Sequence, residues 1–146
     1  MEIVISSVIG GQIAAVEGLE KVVHALIIEM RKSFKKQFEN KSFAGLDKVK
    51  INMYISGDVS EYCTTSEITK CLYFEREKQF ISEFCIARSY WISCSLSDVK
   101  GKFLLLIENL FVSLGMLIKH RLKCKGYDFD SEVFKEIVLK SLFELS

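Results

Sequence analysis

FLLLIENLFVSLGMLI, residues 103–118, carries only four residues that are not apolar: Glu108, Asn109, Ser113 and Gly115. A stretch of that composition lies mostly out of water, and the rest of the chain has to cover it. A bilayer is the first candidate, but sixteen residues with a Glu and an Asn at their centre fall short of the ~20 apolar residues that a hydrocarbon core requires. A buried helix fits better. Val99, Phe103, Leu106, Leu110, Leu114 and Leu117 form one apolar ridge, and Leu104, Ile107, Phe111, Ile118 and Leu122 form a second. Together they predict a helix packed on two sides.

Working outward, Ser95 or Ser97 followed by Asp98 supplies an N-cap, and the helix should continue to about Lys125, with Gly126 as its stop. Asp130-Ser131-Glu132 then opens a last helix with Phe134, Ile137, Val138, Ser141, Leu142 and Leu145 on its inner face. Upstream, KVKINMYIS at 48–56 alternates strictly between apolar and polar, the pattern of a strand with one wet face. Ile3, Val4, Ile5, Val8 and Ile9 suggest a short buried strand ended by Gly10-Gly11. From Gln12 to about Asn40 the apolar residues Val16, Leu19, Val23, Leu26, Ile27, Met30, Phe34 and Phe38 recur three or four apart, predicting an amphipathic helix. Gly45 marks a loop before residue 48.

Residues 66–93 read two ways. Ile68, Leu72 and Phe74 alternate, and Glu75-Arg76-Glu77-Lys78 suits a hairpin connection to an aromatic-rich second strand over Phe80 to Trp91. Thr64 with Glu67 also matches a helix capping box. The hairpin is preferred. The resulting expectation is an α+β fold in one domain, 1–146: a small antiparallel sheet packed against a central buried helix, plus N- and C-terminal amphipathic helices. An all-α bundle is the alternative.

Bulk properties narrow the function classes. At 146 residues, 49% of them hydrophobic, the chain can bury about 70% of its unfolded surface with no metal or cross-link. Five cysteines without a C-x-x-C pair read as reduced core thiols, and no basic residue precedes the first apolar run, so a cytoplasmic location is expected. Net charge is only +1, too little to hold nucleic acid by its phosphates. Charge is nevertheless segregated: residues 31–57 sum to +5 and 58–83 to −3.

Catalytic signatures are missing. There is no G-x-x-x-x-G-K-[ST], G-x-G-x-x-G or G-x-S-x-G, and no S-x-x-K stands out as a nucleophile with its base. His24 and His120 have no neighbouring ligands at metal-binding spacing, so neither a metal nor another cofactor is expected. His24, beside an apolar helix face, reads as partly buried, and His120 as solvated. Glu108 in the apolar helix is either functional or reaches solvent or a lysine through a gap in the packing. The basic runs Arg31 to Lys36 and Lys119 to Lys125 lie at helix C-termini, where cations are favourable for local reasons.

Elimination leaves binding. Tyr54, Tyr62 and Tyr73 lie near the expected sheet beside Asp58, Glu61, Glu75, Glu77 and Glu83. Aromatic anchors flanked by charge are the make-up of an interface that engages one protein partner, although the same rings would also close a core. In size, thiol usage and lack of an active-site motif the whole chain resembles the small bacterial immunity proteins of toxin–immunity systems, those of contact-dependent inhibition and polymorphic toxins. The resemblance implies a non-catalytic inhibitor that binds a cognate toxin domain, acts as a monomer or weak dimer and needs neither nucleic acid nor membrane. The acidic excess at 58–83 suits a nuclease toxin with a basic groove. Alternatives are a dimeric secretion chaperone or adaptor, and a small enzyme whose site forms only on folding.

Overall fold

A helix between two strands returns the chain to the end from which it started, so the strands it joins lie parallel. That rule sets the sheet. The computed structural model describes residues 1–10, 18–56, 65–87, 90–91 and 94–146. Strand β1 (Glu2–Gly10) is joined to β2 (Lys48–Ser56) by helix α1 (Leu19–Phe38). The hairpin β3 (Glu67–Phe74) and β4 (Gln79–Ile86) follows, then helices α2 (Val99–Cys124) and α3 (Ser131–Phe143).

The sheet order is β1-β2-β4-β3. β1 and β4 each pair with β2 in parallel, and only the hairpin pair is antiparallel. The α+β class is as expected, but the sheet is mixed and not antiparallel. Treating strands that follow one another as hairpin neighbours misses that α1 forces a parallel pair and that β4 slots between β2 and β3.

Helix α1 lies on β1, α2 lies against β3 and β4, and α3 crosses α1 and α2. All three therefore cover one face of the sheet. Val49, Ile51, Met53 and Ile55 of β2 are buried beneath them. A chain of rings then runs through the core: Phe84 meets Phe111 edge-on at 5.3 Å, Phe111 lies 4.6 Å from Phe34, and Phe38 lies 5.3 Å from Phe134. Aromatic pairs of this kind are worth about 0.5–1.5 kcal/mol each beyond their burial. Buried Ser33 donates to the Ser141 carbonyl at 2.8 Å, pinning α3 to α1. At the start of α3 the Asp130 carboxylate accepts from the Glu132 and Val133 amides at 3.1 and 3.2 Å, satisfying two of the helix's open donors.

By length and composition α2 is apolar enough to cross a membrane, more so than its central sixteen residues suggest. In this fold Phe103, Ile107, Phe111, Leu114 and Ile118 of α2 are buried in the core, while Leu105, Met116 and Leu117 reach solvent. Glu108 is half-buried at the helix surface.

Other expectations shift. Gly18 has φ +85° and starts α1 at Leu19, because a left-handed residue ends any helix running through it; residues 12–17 lie outside the described residues. His24 is exposed, not partly buried. Asp98, not a serine, holds the N-cap position of α2, and Ser95 donates to its carboxylate at 2.7 Å. Cys85 is disulfide-bonded, whereas Cys71, Cys94 and Cys124 are free. Thiol usage therefore no longer argues for a reducing compartment.

Candidate functional site

With three helices on one face, the other face of the sheet is open around Leu72 and Phe74, whereas Cys85, in the same row as Tyr54, is buried at its far end. Strand alternation decides what it presents. One row across it reads Val4, Lys50, Ile81, Leu72, and the next reads Ser6, Asn52, Glu83, Lys70. A third ends in Phe74 beside Gln79 and Lys48. Leu72 is 42% exposed and Phe74 41%. Two large apolar side chains side by side in water on an edge strand are unusual, and they make an apolar patch rimmed by charge.

A bulge is the reason. The β3–β4 register shifts between Ile68 and Lys70, inserting one residue and swapping the faces on either side of it. Ile68 faces the helices, and beyond the bulge Cys71 and Tyr73 do so, sending Leu72 and Phe74 outward. The alternation that groups Ile68 with Leu72 and Phe74 therefore fails at Thr69.

The same parity relocates Tyr73. Its ring stacks on Phe80 at 4.8 Å and its hydroxyl donates to the Gly45 carbonyl at 2.6 Å. It closes the core at the helix side and is absent from the open face. Tyr54 and Glu83 do share that face, both half-buried. Glu75 and Glu77 lie exposed in the hairpin turn, Glu75 paired with Lys125 at 3.3 Å. Asp58, Glu61 and Tyr62 lie outside the described residues. Of the eight side chains expected to bind, the structure thus brings Tyr54 and Glu83 to one face, and it adds Leu72 and Phe74, which sequence reading grouped with Ile68. A shift in hydrophobic period after Ile68 was the only available signal.

Electrostatics on this face are mixed. Lys48 and Lys50 of β2 and Lys70 of β3 lie among Glu2, Glu67 and Glu83, so among the described residues this face is not predominantly acidic. Burial pushes the Cys71 thiol up, partly countered by the Arg121 guanidinium, which keeps the thiol in its unreactive protonated form.

Two grooves flank the sheet edges. One, with a cavity of about 630 Å³, lies between the start of β3 and α2 and is lined by Ile68, Leu106, Leu110, Met116 and Leu117. The other, about 560 Å³, lies between β1 and α1. Neither histidine lines either groove. Among the described residues no three His, Cys, Asp or Glu side chains gather as metal ligands.

A family model described as Immunity protein 12 matches residues 1–138. No curated protein and no solved structure matches the chain.

Proposed function

We propose a function from one premise: the chain belongs to the Immunity protein 12 family. Immunity proteins neutralise a toxin, so the partner is a protein. The finer reading is that this chain grips the domain of one cognate toxin with the open face of its sheet and blocks it without chemistry of its own.

The observation that carries this reading is the exposed pair Leu72 and Phe74 beside Ile81 and Val4, with lysines and glutamates around them. Central apolar anchors inside a charged rim are what a tight protein interface requires. Among the described residues, interleaved lysines balance the glutamates on this face, and the grip is apolar.

Co-expression of the whole chain with the toxin domain encoded beside its gene tests the reading. Wild-type chain should restore growth, and the double variant Leu72→Ser, Phe74→Ser should lose protection while keeping its circular dichroism spectrum. Equal protection by the double variant would remove the open face from the interface. Failure of the wild type against that toxin would remove the neutralising role.

A further inference from the structure

Strand β1 is an edge that lacks the usual guards. Nine residues, Glu2 to Gly10, pair with β2 in unbroken register, and the strand contains no lysine, arginine or proline. The opposite edge, β3, carries both a bulge and Lys70, two devices that discourage strand addition. A long, flat, β-branched edge without them is a template for another strand.

The hydrogen-bonding groups are oriented for this. The Glu2 amide donates to the Asp47 carbonyl at 2.9 Å on the β2 side. By alternation the N–H and C=O of Ile3, Ile5, Ser7 and Ile9 point away from β2, and no strand pairs with them among the described residues.

Charge in the groove beside this edge chooses the occupant. Arg31, Lys35 and Glu39 occupy one stripe of α1 over β1, four residues apart. The Arg31 guanidinium donates to Ser7 at 3.0 Å, fixing the basic end of the groove. Asp47 lies at the Glu2 end, and Glu39 joins it in the groove lining. One end is thus basic, and the other, where Glu39 and Asp47 outnumber the Met1 ammonium, is net acidic. Antiparallel addition of the same strand about a two-fold axis sets each basic end against the other copy's acidic end, as an isologous interface demands. Ile28, 49% exposed and one turn before Arg31 on the same stripe, and Val8, 59% exposed near the end of β1, add apolar surface at the junction.

We infer that β1 pairs antiparallel with β1 of a second copy, giving a dimer with one continuous eight-stranded sheet. The open face that holds Leu72 and Phe74 is not covered in such a dimer, and the inference stands whether or not that face binds a toxin.

Sedimentation equilibrium of the full chain over a concentration series tests it. The expected result is a reversible shift toward twice the 16.7 kDa chain mass. Ser7→Pro removes an outward N–H while leaving the ladder to β2 intact, and it should yield a folded monomer. If that variant does not fold, charge variants carry the test: Arg31→Glu and Glu39→Arg should each weaken self-association about tenfold. A mixture of the two should associate as a heterodimer, because each then presents the sign the other lacks. A wild-type chain that stays monomeric throughout overturns the inference, as does a dimer indifferent to both charge variants.

Discussion

The ring of Tyr127 occupies the space that a side chain on Gly45 would need: a Cβ there would lie 2.5 Å from the ring Cγ. Gly45 also has φ +77°. Two separate penalties therefore fall on Gly45→Ala, about 1–2 kcal/mol for left-handed backbone and a steric term of about 1–3 kcal/mol for overpacking. Urea denaturation should show a total loss of about 2–5 kcal/mol. In a Tyr127→Ala background the same substitution should cost only the backbone part. An unchanged cost in that background would mean that the ring moves aside freely.

Gly115 presents the opposite balance, since it sits inside α2, where alanine is favoured by about 1 kcal/mol. Against that gain, a Cβ would lie 2.9 Å from Cδ1 of Phe134 on α3. The ring belongs to the aromatic chain that includes Phe38, Phe43 and Phe129, which limits its retreat. Gly115→Ala should therefore destabilise by about 1 kcal/mol net. Adding Phe134→Leu should reverse the sign of the alanine effect, and a thermal melt of the four variants reads this directly.

Alkaline stability follows from two tyrosines. Burial, followed by negative charge on Tyr127, Glu75 and Asp47, pushes the Tyr73 phenol above its usual 10.0. Burial and then Cys94 push Tyr90 up likewise, and its hydroxyl donates to the Lys102 carbonyl at 2.6 Å. With folded values raised, the native state keeps these protons after the unfolded chain has lost its own. Their contribution is therefore complete below the unfolded value of 10.0 and is lost as pH rises through it toward the folded values. The urea midpoint should fall above about pH 10. Tyr73→Phe with Tyr90→Phe should flatten that fall while costing about 1 kcal/mol per lost hydrogen bond near neutrality.

Three consecutive residues of β3 should respond very differently to truncation. Leu72→Ser and Phe74→Ser remove side chains already standing in solvent and should each cost less than about 1 kcal/mol. Tyr73→Ala removes a ring stacked on buried Phe80 and should cost about 3 kcal/mol. Equal costs at the three positions would contradict the parity that the bulge imposes.

That bulge also marks where the sequence stopped being legible. The alternation in residues 48–56 and the helical spacing in α1, α2 and α3 announce their own elements, because each pattern reports which side of one local segment avoids water. Lys48–Ser56 as a strand, the hairpin turn at 75–78, Gly45 in a loop and Gly126 after α2 were readable for that reason. Which side chains share the open face was legible only in part: Tyr54 and Glu83 lie on it, whereas Tyr73 turns inward and its neighbours Leu72 and Phe74 turn out.

Residues of this chain by themselves determined which segments coil, which extend and which stretch must be enclosed, since local periodicity and the solvent preference of each side chain are enough for that. Strand order, parallel pairing and the face each β3 residue shows were decided only when β4 entered between β2 and β3 and the ladder slipped at Thr69. Those are properties of contacts between segments far apart in the chain, and one inserted residue, which barely alters the local pattern, exchanges inside for outside along the rest of the strand.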